Sequence, residues 1–106
     1  MITVTIHRSN DSYAGFKVVG HAGYAEEGYD IICAAVSVLV VNAVNSIETF
    51  TDDKFGARED HGIVELILEG SVSDKTTLLL DSMILGLRDI QTQYGNEFIR
   101  LKIEEV

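Results

Sequence analysis

Residues 20–37 read GHAGYAEEGYDIICAAVS, and this stretch decides how the chain is organised. It begins at the end of a predicted strand, where His21 stands, and it reaches the only cysteine, Cys33, inside a predicted helix. Between them lies a polar segment marked by glycines, which is typical of a loop. The stretch therefore predicts a strand, a loop and a helix, with an imidazole at one end of the loop and a thiol at the other.

The segment after this loop is predicted to be a long helix over residues 31–50, with Asp30 as its N-cap. Valine is frequent there, but the segment is far longer than a usual strand, and Ala34, Ala35 and Ala43 favour a helix. The segment is apolar almost all round. We therefore expect it to be covered on more than one side, by a sheet and by a second helix or a second subunit.

Alternating apolar residues predict about four strands. In chain order these strands cover residues 2–7, 16–21 with 13–15 as a possible start, 63–69 and 99–104. A turn cluster at residues 9–12 joins the first two as a hairpin, in which Gly15 suits a bulge. Ser73 is expected to cap a second helix that ends at Gly95.

Residues 51–62 are predicted to form a charged loop. The resulting order, β-β-α-β-α-β, predicts an α+β fold in which a mostly antiparallel sheet of about four strands has two helices packed on one face. The chain is short enough, at 106 residues, for us to predict one domain over residues 1–106.

Charge and composition limit the classes of function. The net charge of −9 repels phosphate backbones, so we expect no direct nucleic-acid partner and favour a basic protein partner. The longest apolar run, residues 31–41, is shorter than the ~20 residues of a membrane-spanning helix, so we expect no membrane partner. A single cysteine forms no internal disulfide, and a cytoplasmic location follows as the default.

Cys33 is the candidate nucleophile. With Asp30 as N-cap, Cys33 is the third helical residue, where free backbone N–H groups and the helix dipole favour the thiolate. The backbone N–H groups of Cys33 and Ala34 are candidates to bind an oxyanion during acyl transfer. The loop has room to bring His21 to the sulfur, where an imidazole would hold the thiolate as an ion pair and protonate a leaving amine.

Asp30 and Ser37 are candidates to orient His21. Ser37 is four residues after Cys33 and therefore lies on the same helical face. Each also has an ordinary structural interpretation, since Asp30 can act only as a cap and Ser37 can bond back to a helical carbonyl. The candidate substrate-contacting residues of the loop are Ala22, Gly23, Tyr24, Gly28 and Tyr29.

Metal and cofactor chemistry is not expected. One cysteine, one histidine and one aspartate are too few clustered ligands for structural zinc, and without a second cysteine one chain has no dithiol redox site. His7 and His61 are expected at solvated positions, His7 opposite the apolar face of its strand and His61 in the charged loop.

Residues 20–22, GHA, and residues 28–37, GYDIICAAVS, resemble the signature of the ribosomal-processing cysteine protease family, Prp. The resemblance extends to length, element order and the acidic segment after the long helix. It implies a homodimeric cysteine endopeptidase that removes a short N-terminal extension from a basic substrate, the large-subunit ribosomal protein numbered twenty-seven. It maps the family's nucleophile to Cys33 and its catalytic histidine to His21, and its motif aspartate and serine to Asp30 and Ser37.

Two other functions stay open at this point. The first is a non-catalytic ribosome-assembly or interaction module that holds a basic protein on the acidic surface. The second is a thiol-based redox sensor in which Cys33 pairs between subunits. The interaction module predicts a thiol of ordinary reactivity, whereas the redox sensor predicts a disulfide between subunits after oxidation.

Overall fold

The computed structural model describes residues 1–20, 29–60 and 62–106, and side chains at positions 29 and 30 are excluded from the description. Over these ranges the chain forms five strands and two helices. In chain order they are β1 (Ile2–Ser9), β2 (Ser12–Val19), α1 (Tyr29–Phe50), β3 (Lys54–Asp60), β4 (Ile63–Glu69), α2 (Asp74–Tyr94) and β5 (Ile99–Glu105). The α+β fold class is confirmed, with one strand more than predicted.

All five strands belong to one sheet, in the order β3-β4-β2-β1-β5. Three of the four neighbouring pairs are antiparallel, and β1 pairs in parallel with β5. The parallel pair follows from the α2 crossover, because a chain that leaves β4 through a helix returns in the same direction on the far side of the sheet. The sheet is therefore mixed, with β3 and β5 at its edges.

The first hairpin turns where the sequence predicts it. Ser9 pairs with Ser12, and the two residues between them, Asn10 and Asp11, have φ values of 50° and 64°. Positive φ at both central positions is the mark of a type I′ turn, which Asn and Asp tolerate and which matches the twist of the strands.

Gly15 lies at a bulge, as predicted. His7 pairs with Gly15 while Arg8 pairs with Tyr13, so β2 carries one extra residue at this point. The φ of Gly15 is 148°, and a Cβ there would lie 2.0 Å from the carbonyl oxygen of Leu66. Only glycine lets β2 and β4 approach so closely at this bulge.

The core lies between one face of the sheet and the two helices. Alternate residues of β1 point into it, as do Tyr13, Phe16 and Val18 of β2 on either side of the bulge. The α1 helix contributes a stripe at three- and four-residue spacing. The buried residues of that stripe are Ile32, Val36, Val40, Ala43 and Ile47. On α2 the equivalent stripe contains Leu80, Met83, Ile84 and Leu87, as its sequence periodicity predicts.

The prediction that the apolar segment is too short to span a membrane was wrong. Ile31–Phe50 forms a 20-residue helix with mean hydropathy 1.9, which is long and apolar enough to cross a membrane. Asn42 interrupts the apolar run but not the helix, because one polar residue does not end an α-helix. In this fold the helix packs one face on the sheet, and only 28% of the segment is buried within the chain.

The prediction of a loop over residues 51–62 was also wrong, since Lys54–Asp60 forms β3. The strand lies at the edge of the sheet and is mostly exposed, so its sequence lacks the apolar alternation that identifies a half-buried strand. It pairs with β4 over its whole length, from Lys54 opposite Glu69 to Asp60 opposite Ile63.

Asp53 joins the start of β3 to the start of α2. Its carboxylate accepts hydrogen bonds from the backbone N–H and the hydroxyl of Ser73, both at 2.8 Å. Ser73 is the N-cap of α2, as predicted, and its hydroxyl oxygen accepts from the N–H of Thr76 at 3.3 Å. Hydrogen bonding from the Thr76 side chain and from Ser73 lowers the pKa of Asp53 below its ordinary value.

Candidate active site

Cys33 lies on α1, but the helix begins earlier than predicted. The first helical residue is Tyr29, so Asp30 is inside the first turn and is not the N-cap, and Cys33 is the fifth helical residue. An acidic residue is favourable both at an N-cap and within a first turn. The sequence pattern around Asp30 therefore fits either start.

The earlier start removes the predicted oxyanion donors. In an α-helix each N–H bonds the carbonyl four residues before it, so the N–H groups of Cys33 and Ala34 face the carbonyls of Tyr29 and Asp30. The free donors at the start of a helix belong to its first turn. Within the described helix, Cys33 and Ala34 thus offer no free backbone donor to an oxyanion.

The Cys33 side chain nevertheless stays near the positive end of the helix. Cα–Cβ bonds on a helix lean toward its N-terminus, so a residue in the second turn covers the first turn. The side chain is half-buried and packs against the core, which leaves part of it accessible. A nucleophile at this position can be reached from solvent while its backbone is held in place by a long helix.

Gly20, which follows β2, holds the backbone in place immediately before His21. Gly20 has a φ of 100°, and a Cβ there would lie 2.4 Å from the carbonyl oxygen of Met1. Its N–H donates to the carbonyl of Gly62 at 3.2 Å. This residue therefore needs to be glycine, and it anchors the chain immediately before the candidate histidine.

His21 itself lies outside the described residues, together with Ala22, Gly23, Tyr24 and Gly28. The side chains of Tyr29 and Asp30 are also outside the description. The approach of the His21 imidazole to the Cys33 sulfur, the orienting role of Asp30 and the substrate contacts of the loop consequently stay predictions.

Ser37 lies one turn beyond Cys33 and is half-buried. It lines a cavity of about 70 Å³ between α1 and the sheet, whose walls include Val36, Val40 and Glu59. A second cavity of about 190 Å³ continues along α1 past Val44. We call the two together the α1–β3 groove. It is lined by Val18, Val36, Ser37, Val40, Val41, Val44, Asn45, Ala57, Arg58, Glu59 and Val64.

Sequence reasoning missed Glu59 as a residue of this site. The charged sequence around Glu59 predicts a loop. Glu59 instead lies on β3 and faces the side of the sheet on which the helices pack, because it pairs with the buried Val64. The alternation of Phe55, Ala57 and Glu59 was the available signal, although an acidic residue at an inward position conceals it.

Among the residues that the structure describes, no group of three His, Cys, Asp or Glu side chains could hold a metal ion. His7 lies on the open face of the sheet, between Gly15 on β2 and Glu104 on β5. His61 lies outside the described residues.

Comparison with protein families gives a match over most of the chain. Residues 1–99 match the family model described as cysteine protease Prp. The ribosomal processing cysteine protease Prp of Bacillus subtilis is 34% identical over 101 residues, which cover 89% of this chain and 90% of that protein. Its namesake in Staphylococcus aureus is 32% identical over 104 residues, covering 95% and 97% of the two chains.

Solved structures agree with the sequence comparison. One is the crystal structure of an essential ribosomal processing protease Prp from Staphylococcus aureus in complex with a substrate peptide. It superposes with a TM-score of 0.91 at 30% identity, covering 98% of this chain and 100% of that one. A second structure of that protease carries a covalently linked product peptide, with a TM-score of 0.86 at 31% identity and the same coverage.

Proposed function

Because this chain belongs to the Prp family of ribosomal processing cysteine proteases and is a peptide hydrolase, we propose that Cys33 is its nucleophile and His21 its general acid and base. The observation that carries the proposal is the position of a half-buried, partly accessible thiol one turn into a long helix, over the positive helix end. The GHA and GYDIICAAVS segments carry both residues in the family's pattern.

The proposed reaction proceeds by acyl transfer. The Cys33 thiolate attacks the carbonyl carbon of the scissile bond, and a tetrahedral intermediate forms. The C–N bond then breaks as His21 in its protonated form donates a proton to the leaving amine, which leaves a thioester on Cys33. His21 next takes a proton from water, whose oxygen attacks the thioester, and the acid product and the thiolate are released.

A covalent step is supported by the Staphylococcus aureus relative that holds a covalently linked product peptide. The backbone N–H groups of the first helical turn lie on the side toward which the Cys33 side chain leans. They are therefore better placed than the N–H groups of Cys33 and Ala34 to stabilise negative charge. The proposal keeps Asp30 and Ser37 as positioning residues.

The proposed substrate is the N-terminal extension of the basic large-subunit ribosomal protein numbered twenty-seven. The names of the relatives place their activity in ribosomal processing. A net charge of −9 supports a strongly basic substrate, because opposite charge accelerates encounter and favours docking. The proposal places the reaction in the cytoplasm, where a lone thiol stays reduced.

A homodimer is part of the proposal. Val38 on α1 and Leu85 on α2 are 67% and 64% exposed although both are large and apolar. They flank the point where the helices touch, since a Cβ on Gly86 would lie 2.9 Å from the Leu39 side chain. An apolar outer surface on both helices supports burial against a second copy of the chain.

The test compares cleavage of the extended ribosomal protein by the wild type, Cys33→Ala and His21→Ala. We expect the wild type to release the extension and Cys33→Ala to release none, because the acyl acceptor is gone. His21→Ala should lose at least about 100-fold in rate, the usual share of a general acid and base. Cleavage by Cys33→Ala at the wild-type rate would refute the proposal.

Alkylation separates the enzyme from the interaction module. We expect iodoacetamide to modify Cys33 faster than free cysteine at neutral pH, whereas a non-catalytic module predicts ordinary reactivity. Non-reducing electrophoresis after mild oxidation tests the redox sensor, which requires a disulfide-linked dimer band that the protease does not need.

A further inference from the structure

The α1–β3 groove begins on the face of α1 that carries Cys33. Cys33, Ser37 and Val41 succeed one another at four-residue spacing, which places them along one side of the helix. Ser37 and Val41 line the groove, and Cys33 stands one turn before its nearer end. The groove therefore begins about one helical turn from the nucleophile.

Helix geometry gives the axial distance between Cys33 and the middle of the groove. Cys33 and Val41 are eight residues apart, which is about 12 Å along the helix axis at 1.5 Å per residue. An extended peptide rises ~3.3 Å per residue. A substrate chain that runs along α1 from the scissile bond thus reaches Val41 after about three or four residues.

The floor of the groove is apolar, and Glu59 is the acidic group at its rim. Val36, Val40 and Val64 line the part next to Ser37. Val41, Glu59 and Val64 line both cavities, so the two cavities adjoin at these residues.

The other charged residue that lines the groove is already engaged. Arg58 contributes to the groove wall, but its guanidinium forms an ion pair with Glu65 at 3.5 Å. Within the described part of the chain, the Glu59 carboxylate has no hydrogen-bond or ion-pair partner. An unpaired carboxylate beside a row of valines suits a ligand that brings both an apolar side chain and a cation.

We propose that the α1–β3 groove binds the substrate chain beside the scissile bond and that Glu59 selects a Lys or Arg about two to four residues from that bond. The inference rests on the proposed cysteine protease activity and assigns its specificity. Apolar side chains of the substrate lie over the valines, and the basic side chain extends to the Glu59 carboxylate. Glu59 touches only this remote part of the substrate, so it acts on binding and not on the reacting atoms.

The experiment maps the cleavage sites of a randomised peptide pool by mass spectrometry for the wild type, Glu59→Gln and Glu59→Lys. We expect the wild type to prefer Lys or Arg at one position about two to four residues from the cut. Glu59→Gln should lower kcat/KM for such peptides about threefold, through KM, because an exposed ion pair contributes modestly. Glu59→Lys should lower it about tenfold and should shift the preference to Asp or Glu.

Glu104→Lys is the matched control. Glu104 is an exposed carboxylate on β5, at the opposite edge and on the open face of the sheet. We expect it to keep the wild-type preference, which shows that the shift does not follow from net charge alone. If Glu59→Lys fails to fold, Glu59→Gln alone tests the role of Glu59, through its higher KM and its loss of the preference for Lys or Arg.

The possible failures are distinguishable. Cleavage that depends on Cys33 but shows no basic preference, or the same preference in the Glu59 variants, overturns the role of Glu59 and leaves the protease intact. A wild type that cleaves no peptide in the pool overturns both. A preference that reverses with the charge at position 59 supports the proposal, because a merely structural role would not reverse it.

Discussion

At the scale of single residues, Tyr13 links the sheet to α2. Its side chain is 7% exposed, and its hydroxyl donates a hydrogen bond to the carboxylate of Asp81. The Arg8 guanidinium lies over the ring, 4.6 Å from the centroid. Burial, followed by the hydrogen bond and the charge of Asp81, raises the pKa of Tyr13 to about 12.

Replacing Tyr13 with Phe keeps the ring and removes the hydroxyl. We expect Tyr13→Phe to lower the free energy of unfolding by about 1–2 kcal/mol at pH 7, because the Asp81 carboxylate loses its donor. The folded-state pKa is above the ordinary value of 10.0, so the wild-type contribution is complete below pH 10 and is lost as the pH rises toward 12. Urea unfolding between pH 7 and 11.5 measures both effects.

Tyr94→Phe is the control for this measurement. Tyr94 ends α2 and is 46% exposed, so its replacement should leave the free energy of unfolding within ~0.5 kcal/mol of the wild type. A wild-type loss of stability above pH 10 that persists unchanged in Tyr13→Phe would contradict the assignment to Tyr13.

At the scale of elements, three sides of α1 contact different parts of the molecule. One side is buried on the sheet, a second side borders the α1–β3 groove, and a third packs on α2 through Leu39, Ala43 and Ser46. Its outer side stays exposed at Ile31 and Val38. This distribution explains why the sequence of the helix is apolar almost all round.

The far end of α1 supports the fold without touching the site. Ile47 is fully buried and lies fourteen residues from Cys33, about 21 Å along the helix. We expect Ile47→Ala to cost about 3 kcal/mol of unfolding free energy through lost burial and a residual cavity. Under conditions where the variant is folded, its kcat/KM should equal that of the wild type.

Thr49→Ala is the comparison, because Thr49 is exposed in the same turn of α1. It should change the unfolding free energy by less than ~0.5 kcal/mol. A loss of activity in folded Ile47→Ala would show that this end of the helix is coupled to Cys33, contrary to our expectation.

The sequence predicts those elements whose side chains alternate between core and solvent. β1, β2 and β4 each bury residues of one face, β5 buries Ile99, and α2 carries its own start and stop signals in Ser73 and Gly95. Edge strand β3 is not predicted from the sequence, because it is stabilised by pairing with β4 and by the hydrogen bond between Asp53 and Ser73, which are twenty residues apart in sequence. Contacts of this kind cannot be read from the local sequence pattern of the strand.

The candidate site was predictable only in part, for a similar reason. The position of Cys33 near a helix start follows from local sequence, but an acidic residue at position 30 fits two helix starts equally well. The groove depends on which strand lies beside α1, and Glu59 enters it through its register with Val64. Register across a sheet is a tertiary property that one-dimensional periodicity does not fix.

At the scale of the whole molecule, a strong negative net charge occurs together with exposed apolar residues on both helices. The chain carries a net charge of −9, whereas the outer sides of both helices present apolar residues. An acidic surface suits transient encounter with a basic substrate, because such attraction is long-ranged and weakens with salt. An apolar surface suits a stable contact with a second copy of the chain. Burial of apolar side chains in that contact must offset the repulsion between the two negatively charged copies.

The proposed dimer surface is tested by a single charge placed on it. We expect the wild type to sediment as a dimer, and Val38→Glu or Leu85→Glu to raise the dimer dissociation constant at least about tenfold, because a carboxylate would be buried without a partner. Ile67→Glu is the matched control, since Ile67 is 55% exposed on β4 and its strand neighbour Gly15 places it on the open face of the sheet. Analytical ultracentrifugation across protein concentration measures all four proteins. The proposed surface would be wrong if Ile67→Glu dissociated the dimer while Val38→Glu and Leu85→Glu stayed dimeric. The dimer contact would then lie on the open face of the sheet, which the helices do not cover.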